Sequence, residues 1–541
     1  MRKILLITAC FLQVLCVWGE TLTLKINKRY LNIPISQTVD RKRFVLTAKG
    51  EDTLSVVARI AEDAPDYWVF KAVSRYKGKN LELNYEGSKK ALENIVQADS
   101  IFGTSVMYME KNRPQFHFTA RRGWINDPNG LVYHNKLYHL YYQHNPYERE
   151  WENMTWGHAT SPDLLHWTEH DDVLFPDYLG TMYSGSAIYD EQNTSGLGTK
   201  RNPPLVYAYT ADRSDREVQC IAYSLDGGMT LKKYEGNPII DSYDKWHTHD
   251  TRDPRLLWYA PGNHWVLVLN ERDGHSIYNS VNLKDWTYES HITGFWECPD
   301  LFELPVDGNP NNTRWVMLGA SNTYMIGTFD GKIFMPEGGK YRFCTGSIYA
   351  AQTFSHVPDG RRIQIGWGRV SHPEMPFNGM MLLPTELTLK TTSEGIRMIS
   401  KPVSEVQSLM QNVLLSESVL NADAANRLLA SLDYRDGLHL AFTLHLNHRT
   451  SAGLSLAGKN ILDYDSNFNT INGQFYSPQN PTSMELTADI YIDRTSVEVF
   501  IDEGLYSYSM ELHEGKSEEW RFWGTNLTVS GLKVDRVKSI W

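Results

Sequence analysis

A short phrase recurs through the middle of this 541-residue chain. It reads SPDLLHW from position 161, SLDGGMTLKKY from 224 and SVNLKDW from 280, with a looser FDGKIF from 329. Successive copies start 63, 56 and 49 residues apart. Most copies follow a strand-like run such as WGHAT, CIAY or SIYN, and Asn, Asp and Gly turns fall between the runs. A hairpin signal returning every 50–60 residues is the pattern of a β-propeller, in which each repeat is one small sheet stacked on its neighbours. Residues 113–395 divided by that unit give about five blades.

The flanking segments are also strand-rich, so the whole chain reads as all-β. Residues 20–112 mix LTLKI, KRFVLTA and NLELNY with one helix-like stretch, SKKALENIVQADSIF, and predict a small β-rich N-terminal domain. Residues 396–541 open on a helix-like VSEVQSLMQNVL and continue in alternating runs. The run ELTADIYIDRTSVEVFIDEGLYSYSM, with a turn at Asp502-Glu503-Gly504, predicts a C-terminal β-sandwich packed directly on its neighbour. The first 19 residues have the layout of a secretory signal peptide: Arg2 and Lys3, an apolar stretch from Ile4 to Trp18, then Gly19. Ile7-Thr8-Ala9-Cys10 also fits a lipid-attachment site, though nine residues before the cysteine are short for one. Simple cleavage and export is the expectation.

Composition removes several functions. A net charge of −11 lacks the basic face that nucleic acid needs. No internal apolar run is long enough to span a membrane. Cys220, Cys298 and Cys344 would remain after cleavage, too few for a disulfide framework. His247 and His249 flank Thr248 without a Cys or His cluster around them, so no metal is expected. The 16 Trp and 30 Tyr suit large β cores and, in part, platforms for sugar rings.

The chemistry lies in three acids beside prolines or turns: Asp127 in WINDPNG, Asp253 in TRDPR and Glu297 in WECPD. Asp-Pro alone is an ordinary turn. Here Asn126 to Gly130 reads as a stiff turn that ends a strand and carries a carboxylate. The separations of 126 and 44 residues put the acids on different blades, and the ends of inner strands converge at a propeller axis. Two carboxylates facing one bond are what glycoside hydrolysis requires, one to attack or activate water and one to protonate the leaving oxygen. Trp296 and Cys298 beside Glu297 are expected to give it a dry setting.

These blocks resemble family 32 of the glycoside hydrolases, the β-fructofuranosidases. WINDPNG is similar to that family's nucleophile motif, TRDP to its Arg-Asp motif and ECPD to its acid/base motif. LYYQHNP, WENMTWGHA, YSGSAI, NTSGLG and DRTSVEVFID extend the resemblance from about Gln115 to the C-terminus. It implies a five-bladed propeller with a C-terminal sandwich, retention of configuration and no cofactor. It makes Asp127 the nucleophile and Glu297 the general acid/base. Asp253 would bind fructose hydroxyls, and Arg252 would orient the acids. Asn126, Gln143, Trp151, Tyr183 and Ser184 would line the fructose subsite. The N-terminal segment looks like an accessory domain of some Gram-negative members, which implies a periplasmic or extracellular enzyme. Glu152 and Thr385 depart from the commoner pattern, where Gly and Arg are frequent, and bear on substrate preference.

The implied activity is release of fructose from the non-reducing ends of levan, inulin or sucrose. A transfructosylase or an endo-fructanase would use the same site. An inverting five-bladed arabinan glycosidase needs its carboxylates roughly 6.5–9.5 Å apart, against roughly 5–5.5 Å for retention. A non-catalytic fructan-binding module would not need all three acids.

Overall fold

The computed structural model describes residues 19–476, 484–513 and 519–541. The expected signal segment, apart from Gly19, lies outside the described residues. The chain divides into two compact units, one through Phe102 and the other from Gly103 to Trp541. In the first, Glu20–Lys25, Asn80–Tyr85, Lys42–Ala48 and Leu54–Ala58 form a four-stranded antiparallel sheet. Tyr30–Ile35 pairs with Tyr67–Ala72 on one side and Val96–Ala98 on the other. The helix-like stretch there shrinks to Lys89–Glu93, because Val96–Ala98 is drawn into that sheet. No helix among the described residues is long and apolar enough to cross a membrane.

The second unit begins with a series of units of four paired strands, the first of them joined by a fifth, Phe377–Asn378. Their first strands are Gly123–His134, Thr181–Tyr189, Thr251–Tyr259, Asp300–Val306 and Ile348–Thr353. The fourth and fifth units merge into one sheet through a parallel bridge between Val306 and Leu389. The repeated phrase now has a physical meaning. Each copy is the turn between the third and fourth strands of a unit. Its Asp or Asn side chain accepts backbone N–H groups just ahead: Asp163 from Leu165 and His166, Asp226 from Thr230, Asn282 from Lys284 and Asp285, Asp330 from Lys332 and Ile333. Such local bonds need only the right residue at the right offset, which is why they repeat in sequence.

The five first strands bond to one another in a closed circuit. Ser184 Oγ donates to Asp127, Ser186 Oγ to the Pro254 carbonyl, Arg255 pairs with Asp300, Thr353 N–H donates to Asp300, and Ser355 exchanges backbone bonds with Leu131 and Tyr133. Asp300, the last residue of ECPD, is fully buried against Arg255.

Beyond these units, a seven-stranded and a five-stranded sheet pack face to face over Leu440, Leu454, Leu462, Ile490, Val499, Trp520 and Val529. The strands and turn read in ELTADIYIDRTSVEVFIDEGLYSYSM are present as Glu485–Ile492, Ser496–Ile501, Asp502–Gly504 and Tyr506–Glu511. VSEVQSLMQNVL is not an α-helix. Ser404–Leu409 is a 3-10 turn, and Met410–Asn421 is an edge strand paired along Thr528–Val537. Sheet pairing overrides the local helical period.

A buried ionic triad joins this sandwich to the preceding sheets. His117 Nδ1 contacts Asp493 at 2.8 Å, and Nε2 contacts Glu498 at 2.7 Å. Burial opposes charge on the imidazole, but the two carboxylates outweigh it and raise its pKa to about 9. Because the folded pKa is the higher, the triad's contribution is complete below the unfolded value of roughly 6.5 and is lost as pH rises through about 9. We therefore expect the denaturant midpoint to fall between pH 6.5 and 9, and His117→Asn to remove most of that fall. Parallel pH curves for both proteins would contradict this assignment.

Candidate active site

The stretch Asn126–Gly130 does not end a strand. Gly123–His134 is continuous, and its register with Leu137–Asn145 jumps between Ile125 and Pro128. Asn126 and Asp127 occupy that bulge. A bulge turns a side chain away from the plain alternation of the strand, and bulges gather at active sites for that reason. The device recurs. Register jumps enclose Tyr183 and Ser184, then Asp253 and Pro254, then Ala350 and Ala351. Pro254 lies on a sheet-edge strand, and the outer side of Gly123–His134 is paired with Phe377–Asn378 only at Gly123 and Trp124, so at both prolines a missing N–H costs no ladder bond.

Three of these bulged strands and the loop before Asp300–Val306 thus bring most of the predicted residues together, and the fourth adds Tyr349. Asp127 accepts from Ser184 Oγ at 2.6 Å and Asn126 Nδ2 at 3.0 Å, and the Cys298 thiol lies 3.6 Å away. The same sulfur is 3.5 Å from Asp253, which also accepts the Cys298 N–H at 2.9 Å. Burial holds Asp127 above its ordinary pKa; the Ser184 and Asn126 donors oppose this and the Glu297 charge adds to it. Asp253 is raised by burial and Glu297, against Arg252. Burial also raises the Cys298 thiol, so it stays protonated and donates.

Glu297 is gripped from two sides. Arg252 donates to Oε1 at 3.0 and 3.2 Å, and the Tyr349 hydroxyl donates to Oε2 at 2.6 Å. Burial and Glu297 raise the Tyr349 pKa, which keeps that donor proton in place. Arg252 also binds Glu217 at 2.9 Å and Asp250 at 3.0 Å. Burial pushes the Glu217 carboxyl up to about 7 despite Arg252. The dry setting expected for Glu297 falls on the aspartates instead. Cys298 faces Asp127 and Asp253, while Trp296 is 40% exposed.

Asp253, Glu297 and Cys298 have φ of +65°, +49° and +38°. Such left-handed backbone costs on the order of 1–3 kcal/mol per non-glycine residue and persists only where the surroundings enforce it. Here Thr210 Oγ1 accepts the Asp253 N–H and Asn270 Oδ1 accepts the Glu297 N–H. Sequence reasoning missed Glu217, Asn270, Tyr349 and the thiol contact. Glu217, Asn270 and Tyr349 come from strands without a motif; only Cys298, inside ECPD, was in view.

The other predicted residues take different places. Asn126 receives Trp124 Nε1–H at 2.9 Å and donates to Asp127, so its amide orients the Asp127 carboxylate. Gln143 is buried on the second strand, facing the bulge, with no hydrogen bond to the acids. Tyr183 is half-buried, and Trp151 meets it edge-on at 6.2 Å. Trp151 is 48% exposed, so it is not a core aromatic. His247 is exposed, and no group of three or more metal-binding side chains occurs among the described residues.

Residues 117–402 match the model of the glycosyl hydrolases family 32 N-terminal domain. The chain is 36% identical to a levanase of Bacillus subtilis over 494 residues, 81% of this chain and 72% of that one. It is 31% identical to an extracellular exo-inulinase of Aspergillus niger, over 80% of this chain and 96% of that one. Its fold is similar to the crystal structure of exo-inulinase from Aspergillus awamori, with a TM-score of 0.69 and 28% identity over 80% of this chain and all of that one. A fructofuranosidase of Schwanniomyces occidentalis complexed with fructose gives a TM-score of 0.67 at 26% identity, over 80% of this chain and 100% of that one. With Asp127 and Asp253 held on bulged strands, Glu297 on the loop between them and the next strand, and a family model covering more than half its length, the chain belongs to glycoside hydrolase family 32.

Proposed function

We propose that the protein is a retaining exo-fructosidase that releases fructose from the non-reducing ends of levan, inulin and sucrose. The observation that carries this reading is the single network joining Ser184, Asp127, Cys298 and Asp253 beside an Arg252-bound Glu297. A carboxylate oxygen of Asp127 bonds to C2 of the terminal fructose as the bond from C2 to the leaving oxygen breaks. The electron pair goes to that oxygen, which takes its proton from Glu297. Glu297 then removes a proton from water, whose oxygen bonds to C2 as the Asp127 ester opens. Asp253 accepts fructose hydroxyls, and fixed donors already in place spare reorganisation in the transition state. The steps balance with these side chains and water alone.

The five first strands are read as the inner strands of a five-bladed propeller, followed by the C-terminal sandwich. The unit through Phe102 is read as an accessory domain. Export is supported by the extracellular relative named above. Exo attack is supported by the base of the site. Arg255, two residues beyond Asp253, is buried and tied to Asp300 at 2.9 Å and to Thr353 at 2.8 and 3.1 Å, an ion pair we read as closing the base of the site. A pocket closed below receives a chain end. On levan and inulin, free fructose should therefore be released from the first minutes while the polymer shortens slowly. Early oligosaccharides of several sizes on thin-layer chromatography, with fructose lagging, would overturn exo attack and leave the chemistry at Asp127 and Glu297 standing.

A further inference from the structure

Trp296 differs from the residues around it. Phe295 is 4% exposed and Cys298 1%, yet Trp296 is 40% exposed. Its backbone is fixed, since the Ala320 N–H is shared by the carbonyls of Trp296 and Glu297 at 3.1 and 3.0 Å. The left-handed turn at Glu297 and Cys298 follows at once and sends the thiol to the aspartates, while the indole stays outside. The Arg252 guanidinium lies 5.4 Å from the indole centroid while donating to Glu297 at 3.0 Å. An aromatic ring with a large free surface therefore stands one guanidinium away from the general acid.

Glu297 protonates the leaving oxygen, so the sugar beyond the scissile bond must lie on its side of the pocket. A furanose ring has an apolar C–H face that packs on an aromatic surface, and the negative π-face favours such partly positive hydrogens. Arg252 restrains the ring by a cation–π contact, so little side-chain entropy is lost on binding. We propose that Trp296 is a specificity-determining platform for the leaving-group side, on which the second fructosyl unit of a β-fructan stacks. The inference rests on the fructosidase reading of the site and adds to it a preference for oligomers over minimal fructosides.

The test compares wild type, Trp296→Ala and Trp296→Phe on methyl β-fructofuranoside and on levan- and inulin-derived trisaccharides. The methyl group is too small to reach a stacking surface. For Trp296→Ala, the ratio of kcat/KM on trisaccharide to that on methyl fructoside should fall about tenfold, carried by KM, a change the size of one aromatic contact. Trp296→Phe should restore most of the ratio. An unchanged ratio in Trp296→Ala, whether both substrates suffer alike or neither does, would overturn the platform alone. A wild type releasing no fructose from any of these substrates would overturn the fructosidase reading and the platform with it.

Discussion

Asp127→Asn should abolish turnover on sucrose and fructans, with a loss in kcat of at least about 10⁴-fold, while the protein still folds. The amide preserves the volume of the carboxylate, and its one oxygen can still accept from Ser184, whose hydroxyl meets one carboxylate oxygen while the Asn126 amide meets the other. It cannot form the fructosyl ester, so the covalent route closes. Removing a buried acid that is already raised by burial also removes a desolvated charge, so the melting temperature should hold or rise. The check is kcat beside a thermal unfolding curve. A loss smaller than about tenfold, well below what general acid–base help alone is worth at ~10²–10⁴, would remove Asp127 from the nucleophile role.

Glu297→Gln should also be severe, but its severity should depend on the leaving group. Sucrose leaves as a sugar alkoxide and needs its proton, so kcat should drop by about 10²–10⁴. An aryl fructoside leaves as a more acidic phenol, and fructosylation of Asp127 should then be largely spared. What remains slow is the second step, in which glutamine cannot take a proton from water. A burst of phenol followed by a slow steady state is therefore expected. Equal losses on both substrates with no burst would argue that Glu297 acts by charge alone. The geometry also predicts what the substitution releases. Arg252 would lose one of its three carboxylates but keep Glu217 and Asp250, so the guanidinium should stay in place.

The three acids could be found in sequence because each sits in a short block whose neighbours are local necessities. Pro254 marks an edge strand and Pro128 a stretch paired on one side only, and Trp296 and Cys298 mark the left-handed corner around Glu297. The propeller-like repeat was legible for the same reason: the Asp163, Asp226, Asn282 and Asp330 turns are closed by bonds to residues two to four positions ahead. What depended on partners far along the chain was not legible. SKKALENIVQADSIF and VSEVQSLMQNVL carry a helical period, but strands distant in sequence recruit parts of both. Asn126–Gly130 has turn composition, yet pairing with Leu137–Asn145 keeps it in a strand and makes the extra residues a bulge.

The sequence by itself therefore picked out three acids that the fold brings together, and the repeated β units that carry them. Only the tertiary structure decided how they are aimed and charged. Bulges and left-handed φ values are stable only where neighbouring strands enforce them, as Thr210 does for Asp253 and Asn270 for Glu297. The division of labour among the acids likewise depends on groups 45 to 171 residues away: Cys298 between the two aspartates, and Arg252 and Tyr349 on Glu297. Electrostatic environment is a property of three-dimensional proximity and burial, and a linear motif records neither.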